Sequence, residues 1–363
     1  MIVTVGCGGV GKTTVAAAVA LAAARKGRRV LCLTIDPAKR LATSLGLKEM
    51  RAEAQTVPPE LWGQPESTGG ALTAMMLDVR GTFDELVTRH ASSPEVRDRI
   101  LSNRIYREVA GNLAGTPEYM AMEKLHAVRD DPRYDLIVLD TPPTSNALDF
   151  LDAPDKMIDA MDSPAVKAFV TAFQRGGSLS LSFLSRAMAK VLQGLSTFTG
   201  GGFLEQIAEF LSDLQGLFGG FRERASKVRE SLAARDVAFV LVTSTDPMAV
   251  GEAMFFAERL QQNGMVAEAV VMNRVRSLPE QAPPSADRLA GILGEAGVEP
   301  AQELGNAFSK SWRDAQVWAR RDAQEVARVA RDFAAVPRHV VVPALDEDVY
   351  DIAALTHVAA CLV

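Results

Sequence analysis

The first residues of the chain place glycines and a lysine in an order that suits phosphate binding. The octet Gly6-Cys7-Gly8-Gly9-Val10-Gly11-Lys12-Thr13 matches the pattern GxxxxGK[ST], between a β-branched run, Ile2–Val5, and an alanine-rich helical stretch, Val15–Lys26. Glycines allow successive backbone N–H groups to turn towards phosphate oxygens, and the N-terminus of the following helix adds the positive end of its dipole. Lys12 would reach the β- and γ-phosphates, and the Thr13 hydroxyl would ligate Mg²⁺. The stretch therefore predicts binding of a nucleoside triphosphate.

Two later apolar runs each end in a carboxylate. The run Arg28–Ile35 leads into Asp36, and the run Tyr134–Leu139 leads into Asp140. Because parallel strands present their carboxyl ends at the ligand-binding edge of a sheet, Asp36 is a candidate to position or activate the attacking water. Asp140 has the arrangement expected of a residue that holds Mg²⁺ directly or through water. Asp36 could also cap a helix that begins at Pro37, and the two roles are compatible.

Other polar residues follow predicted strands or lie on a predicted helix. Thr141–Thr144 leaves the strand beside the expected γ-phosphate, where the segment could move when that phosphate is lost. Asn273 ends the run Glu268–Asn273, and its amide could contact a purine edge or serve only in a turn. Glu118 and Glu123 lie on a helical stretch, and we interpret them as part of a solvated face rather than as catalytic groups.

Apolar runs alternate with helical patterns along most of the chain, as in α/β proteins. We predict a doubly wound, mainly parallel sheet with helices on both faces, forming a single domain over residues 1–363. Residues 51–70 are rich in Pro, Gly and Gln, which predicts a surface loop. The predicted strands are residues 2–5, 28–35, 72–79, 134–140, 237–243, 268–273 and 340–343.

Residues 153–235 interrupt this alternation and predict an inserted α-helical subdomain. Apolar residues from Phe203 to Phe221 recur at helical spacing, and glycine clusters such as Gly200-Gly201-Gly202 divide the segment into short helices. The apolar faces could pack against one another as an ordinary helical cap. They could equally line a groove for an apolar helix of another protein, because Met- and Phe-rich surfaces adapt readily.

Composition narrows the class of protein. The net charge of −6 provides no basic excess for coating nucleic acid. Cys7, Cys32 and Cys361 form no CxxC pair, which suits a reducing compartment and excludes a sequence-local zinc or iron–sulfur site. The chain has no long uninterrupted apolar run and begins with a strand pattern, so we expect a soluble, cytoplasmic protein.

Five segments together resemble the arsenical-pump and guided-entry (tail-anchored protein targeting) ATPases, a family of deviant-Walker-A dimeric ATPases. They are GCGGVGKTT, TIDPAKRLATSLG, LIVLDTPPTSNALDFLDAP, VVMNRV and VPALDEDV. The resemblance implies that Asp36 orients the hydrolytic water, that Asp140 opens the second switch segment, and that residues 153–235 bind the client. It also implies a homodimer that closes on ATP. The implied nucleotide-binding residues are Gly8, Gly9, Val10, Gly11, Lys12, Thr13 and Thr14 for the phosphates, and Asn273, Pro343 and Leu345 for adenine.

The chain departs from the family's pattern at its cysteines. Cys7 stands where the family usually has a lysine that reaches the partner's phosphates, so we expect slow turnover. Cys7 could have a redox role if the nearby helix N-terminus lowered the pKa of its thiol, although simple tolerance is the favoured explanation. The chain lacks the CxxC that joins subunits through zinc in eukaryotic targeting factors and the cysteine cluster that binds arsenite in pump ATPases. We therefore do not expect arsenite transport.

These observations predict a Mg²⁺-dependent ATPase whose homodimer switches between open and closed states that differ in affinity for a hydrophobic client, such as a transmembrane segment. Delivery to a membrane receptor would add a second partner, and no nucleic acid is expected. The alternatives are a partitioning-type ATPase on a membrane or nucleoid and the ATPase subunit of an arsenite pump. The large apolar insertion and the lack of a basic or amphipathic C-terminal tail weigh against the partitioning ATPase.

Overall fold

The computed structural model describes residues 1–35, 40–63, 69–103, 106–107, 116–141, 152–153, 159, 212–213, 221–277 and 284–362. Strands and helices alternate through most of these ranges. The elements are β1 Ile2–Val5, α1 Lys12–Arg25, β2 Arg29–Thr34, α2 Arg40–Ser44, β3 Gln55–Thr56, α3 Pro59–Trp62, β4 Ala71–Met76, α4 Val79–His90, α5 Pro94–Ser102, α6 Thr116–Arg129, β5 Leu136–Asp140, α7 Phe221–Leu232, β6 Ala238–Thr243, α8 Pro247–Gln262, β7 Ala267–Val275, α9 Ala286–Glu295, α10 Ala301–Asp332, β8 Arg338–Pro343 and α11 Ile352–Cys361.

The strands form one sheet in the order β3-β4-β2-β5-β1-β6-β7-β8. Every neighbouring pair is parallel except β3 with β4. Thr4 of β1 and Thr34 of β2 are both in register with Asp140 of β5. Three strands therefore end level at the carboxyl edge, and β1 delivers the glycine-rich loop to the middle of that edge.

Apolar side chains cover both faces of the sheet. In β2, Leu31 and Leu33 belong to one buried cluster, whereas Val30 and Cys32 belong to the other. One cluster packs the sheet against helices that include α4, α6 and α8, and the other packs it against α1 and α11. Burial on both faces explains why these strands are continuous apolar runs rather than alternating ones. The expected doubly wound, mainly parallel sheet is confirmed.

The expectation of a surface loop at residues 51–70 is wrong for part of that range. β3 pairs with β4, and α3 carries Trp62, which is 1% exposed. The indole Nε1 of Trp62 donates to the Val57 carbonyl at 3.3 Å, and Arg25 donates to the Trp62 carbonyl. The pairing of β3 with β4 and the contact of Arg25 with Trp62 join segments that are distant in sequence, so the local Pro- and Gly-rich composition could not reveal them.

The strand predicted at residues 72–79 is shorter than expected. β4 ends at Met76, and the carboxylate of Asp78 accepts from the Gly81 backbone N–H at 2.9 Å. Asp78 is therefore the N-cap of α4, a role in which a carboxylate is strongly preferred.

Most of the predicted helical insertion, residues 153–235, lies outside the described residues. Its C-terminal part includes α7, and Asp213 accepts two hydrogen bonds from Arg99 of α5, each at 2.6 Å. The insertion as a helical client-binding subdomain stays a prediction. Within the described ranges, no helix combines the length and hydropathy needed to cross a bilayer.

An ion pair at the opposite, amino edge of the sheet joins the starts of β2 and β5. The Arg29 guanidinium and backbone N–H donate to the Asp135 carboxylate at 2.7 to 3.1 Å. The hydrogen bonds from Arg29 lower the pKa of Asp135 to about 2. Because this pKa is depressed in the folded state, the pair stabilises the fold above the ordinary pKa of about 3.9, and its contribution is lost as the pH falls towards 2.

We predict that Arg29→Ala returns the Asp135 titration midpoint towards about 3.9, because the hydrogen bonds to the charged carboxylate are lost. The measurement is an NMR titration of the carboxyl carbon. Arg133→Ala is the matched control, since Arg133 pairs with Asp131 instead. A midpoint that stays near 2 without Arg29 would contradict the assignment.

Candidate functional site

The loop between β1 and α1 depends on glycines for two different reasons. At Gly6 and Gly11 the backbone packs closely: an added Cβ would lie 2.1 Å from the Val242 carbonyl oxygen and 2.1 Å from the Asn273 amide nitrogen, respectively. At Gly8 and Gly9 an added Cβ would have no atom within 4 Å. Gly9 and Gly11 also have left-handed φ angles of 81° and 94°, which favour glycine. The loop is thus packed on one side and open on the side where phosphate would bind.

Lys12 begins α1 and bends back over the loop. It is 5% exposed, and its Nζ donates to the Cys7 carbonyl at 2.8 Å. Thr13 and Thr14 follow on the first turn of the helix, where backbone N–H groups point out of the helix end. The ammonium, the hydroxyls and the helix N-terminus therefore converge at one place, as the phosphate-binding prediction requires.

Asp140 is fully buried at the carboxyl end of β5. Its Oδ2 accepts from the Thr34 hydroxyl at 2.9 Å, and the neighbouring Thr141 hydroxyl donates to the Thr4 carbonyl at 2.7 Å. A carboxylate here, together with the Thr13 hydroxyl, provides the hard oxygen donors that Mg²⁺ prefers. These residues fit a magnesium ion that phosphate oxygens would also coordinate.

The loop opens into a cleft of about 770 Å³, a volume suited to a nucleotide. Two of the residues expected at adenine, Pro343 and Leu345, line this cleft from the end of β8. The cleft is lined by Gly9, Gly11, Lys12, Thr13, Thr14, Arg40, Thr43, Ser44, Thr141, Asn273, Arg274, Arg276, Val342, Pro343, Ala344, Leu345, Glu347, Asp348, Val349, Tyr350 and Val358. The tertiary structure thus brings residues near both ends of the chain to one site.

Asn273 supports the loop directly. It is 5% exposed, and its Nδ2 donates to the Val10 carbonyl at 2.8 Å. The amide donor is therefore used by the glycine-rich loop. Contact between Asn273 and a purine stays a prediction, as do the adenine contacts of Pro343 and Leu345.

An irregularity in β7 places Asn273 and the following arginines. The pairing of β7 with β8 shifts register between Met272 and Val275, and Arg274 has a left-handed φ of 58°. A non-glycine residue in this conformation commonly marks a functional site. Arg274 and Arg276 both reach the cleft, and Arg274 Nη1 lies 3.4 Å from the Gly9 carbonyl oxygen.

Sequence reasoning missed three arginines that line the cleft, namely Arg40, Arg274 and Arg276. The segment VVMNRVR did contain a signal for two of them, because two arginines flank the end of a strand that was already assigned to the site. The predicted catalytic residue Asp36 lies outside the described residues, so its role stays a prediction. Glu123 accepts from the Tyr119 hydroxyl on α6, in keeping with a structural role.

The surroundings of Cys7 do not favour an activated thiol. Burial raises the pKa of the Cys7 thiol, Glu252 raises it further, and Lys12 only partly opposes these effects. Cys32 is fully buried within β2, and burial raises its pKa as well. A thiol with a raised pKa is a poor nucleophile, which favours simple tolerance of Cys7 over a redox role.

Comparison with known proteins places these features in a family. A family model described as anion-transporting ATPase matches residues 1–291, a range that includes Asp140 and Asn273 but not Pro343 or Leu345. ATPase get3 of Aspergillus terreus is 25% identical over 275 residues, 74% of this chain and 71% of the relative. ATPase GET3 of Malassezia globosa is 25% identical over 270 residues, with the same coverage of 74% and 71%. An uncharacterized protein of Streptomyces coelicolor is 32% identical over 157 residues, 43% of this chain and 37% of the relative.

We predict that Gly11→Ala lowers the free energy of unfolding by about 2 kcal/mol or more, because the new Cβ meets the Asn273 amide and the left-handed φ is strained. Urea denaturation of the nucleotide-free protein measures this change. Gly8→Ala is the matched control and should cost less than about 0.5 kcal/mol, since its Cβ meets nothing.

In an Asn273→Ala background, Gly11→Ala should lower the free energy of unfolding by a smaller amount, because the amide that the new Cβ would meet is absent. Equal costs for Gly11→Ala and Gly8→Ala in the parent chain would refute the packing argument.

Proposed function

The chain belongs to the anion-transporting ATPase family, and we propose that it uses Mg²⁺-dependent ATP hydrolysis to switch a homodimer between open and closed states that bind and release a hydrophobic client. Membership bears out the family resemblance seen in the sequence and identifies the chain as an ATPase. Magnesium, the dimer switch and the client are our proposals. The observation that supports nucleotide and magnesium binding is the open glycine loop beside Lys12, with Asp140 in register with Thr4 at the carboxyl edge of the sheet. The dimer switch and the client rest on the family resemblance and on similarity to the get3 ATPases.

We propose that Gly8 to Thr14 hold the phosphates of ATP and that Lys12 moves from the Cys7 carbonyl to the β- and γ-phosphates. The ammonium lies 2.8 Å from a carbonyl oxygen of the loop itself, which supports a place for it beside the phosphates. Thr13 and Asp140 would hold Mg²⁺, with Asp140 acting through a water molecule. When bound, the ion neutralises charge on the phosphate oxygens and so favours loss of the terminal phosphoryl group.

We propose that Asp36 orients the attacking water and that the chain after Asp140 reports the loss of the γ-phosphate. Thr34 supports this pairing, because it donates to Asp140 at 2.9 Å and lies two residues before Asp36 in sequence. The Thr141 hydroxyl is held by the Thr4 carbonyl at the start of the second segment. Both carboxylates, at the ends of neighbouring strands, would thus respond to the presence or loss of the same phosphate.

The proposed client is an apolar protein segment, such as the transmembrane segment of a tail-anchored protein. Similarity to the get3 ATPases supports it, since the match covers 74% of this chain and 71% of each of those relatives. The apolar, glycine-divided residues 153–235 would provide the binding surface, and delivery to a membrane receptor would follow hydrolysis.

The family's description also raises anion transport as a second function. The cysteines argue against a metalloid substrate because they do not form a cluster: Cys32 is fully buried in β2, Cys7 is half-buried in the loop, and Cys361 ends α11. Within the described residues, no three cysteine, histidine or carboxylate side chains come together in a way that could hold a metal ion. Client binding is therefore the better supported proposal.

We predict that Lys12→Ala lowers the rate of ATP hydrolysis by about a hundredfold or more, because the charge at the transferred phosphoryl group is lost. Phosphate release is the measurement, with and without EDTA, which should abolish the parent activity. Lys26→Ala, at the other end of α1, is the matched control and should keep the parent rate. An unchanged rate for Lys12→Ala would contradict the site.

We predict that a peptide with a transmembrane segment of about 20 apolar residues binds the full chain and that deletion of residues 176–221 abolishes binding. Co-purification measures the complex, and mass photometry with and without Mg-ATP measures the dimer. A peptide of the same length with charges placed along the apolar segment is the control. Hydrolysis stimulated by arsenite but not by the peptide would favour the pump function instead.

A further inference from the structure

Three charged side chains are buried in the described part of the chain, and two of them belong to the phosphate site. Lys12 follows the glycine-rich loop and Asp140 ends β5, whereas Asp322 lies on α10 at 2% exposure. A buried carboxylate is costly unless it is paired and hydrogen-bonded. Asp322 meets that requirement through Arg276, a residue that lines the cleft.

Two residues of α10, Asp322 and Trp318, hold Arg276 in place. The Arg276 backbone N–H donates to Asp322 Oδ2 at 2.9 Å, and its Nη1 lies 3.5 Å from Asp322 Oδ1. Its guanidinium carbon also lies 5.2 Å from the centre of the Trp318 ring. A guanidinium stacked on an aromatic ring loses less freedom when it binds a ligand, because its plane is already oriented. The Arg276 side chain nevertheless remains 52% exposed, so it is still accessible to a ligand.

The strand register places Arg276 beside the apolar wall of the cleft. Val275 is in register with Pro343, and the Ala344 backbone N–H donates to the Val275 carbonyl at 2.8 Å. Pro343 and Leu345 therefore lie next to Arg276, on the β7–β8 side of the loop. Arg40, Thr43 and Ser44 also line the cleft, but they come from α2, which follows β2 on the other side of β1 in the sheet order.

With the phosphates on the loop, the nucleoside must extend into the remaining part of the cleft. A purine favours planar and apolar surfaces, which the β7–β8 wall provides through Pro343, Leu345 and the guanidinium plane. We propose that Arg276 covers the base and ribose of the bound nucleotide rather than its phosphates, and that Asp322 and Trp318 are the residues that position it. This inference rests on nucleotide binding in the cleft but not on a dimer switch or a client.

The test compares two ligands with the same phosphates in the full chain. Calorimetric titration with ADP and with inorganic pyrophosphate, both in Mg²⁺, should show that Arg276→Ala weakens ADP about tenfold and leaves pyrophosphate within about twofold. Arg321→Ala is the matched control, because Arg321 stacks on the same Trp318 ring at 5.6 Å but does not line the cleft. It should leave both affinities unchanged.

Asp322→Asn should reproduce the selective loss of ADP affinity, and it should add nothing in an Arg276→Ala background, because a positioning residue acts only through its partner. Should Asp322→Asn fail to fold, Trp318→Leu, at a half-exposed position, tests the same coupling with an expected loss of about threefold that also vanishes without Arg276.

If Arg276→Ala weakened the binding of ADP and of pyrophosphate equally, or of neither, the role of Arg276 would be overturned. If the losses of ADP affinity in Arg276→Ala and Asp322→Asn were additive, the positioning roles would be overturned. A parent chain that binds neither ligand would instead overturn the nucleotide site itself.

Discussion

The close approach between Gly11 and Asn273 is the constraint on which the site depends. The loop after β1 must leave its backbone N–H groups free for phosphate, so it needs support from elsewhere. The Asn273 amide supplies that support by donating to the Val10 carbonyl, and only a residue without a Cβ fits at Gly11 beneath it. A buried hydrogen bond of this kind contributes about 1 kcal/mol net, but leaving the carbonyl unpaired would cost about 1–3 kcal/mol.

Burial of charge follows the same logic across the site. Lys12 and Asp140 are buried at the proposed phosphate and magnesium sites, and each has a partner within the protein: the Cys7 carbonyl for Lys12 and the Thr34 hydroxyl for Asp140. Asp322 is buried behind Arg276 and has no direct place in the cleft. Each buried charge therefore has a backbone carbonyl, a hydroxyl or an opposite charge as its partner, so that ligand binding would exchange partners and would not create buried unpaired groups.

The surroundings of Cys7 show how one substitution changes the electrostatics of the loop. At position 7, where the family usually has a lysine, this chain has a thiol whose pKa is raised by burial and by Glu252. Cys7 contributes its backbone carbonyl to Lys12 but no positive charge of its own. Positive charge at the cleft comes instead from Lys12 and from arginines contributed by α2 and the end of β7.

The sequence by itself determined the phosphate loop, the strand-ending Asp140 and the parallel sheet, because each depends on short-range patterns. Glycine spacing sets which N–H groups can turn inward, and uninterrupted apolar runs require burial on both faces of a sheet. Only the tertiary structure decided which strands are neighbours, that Asn273 holds the loop across 263 positions of sequence, and that Arg276 is anchored by Asp322. Local sequence patterns do not predict these contacts, because the residues are far apart in the chain. The irregularity in β7 at Arg274 and the packing of α10 determine where the side chains of Asn273 and Arg276 point.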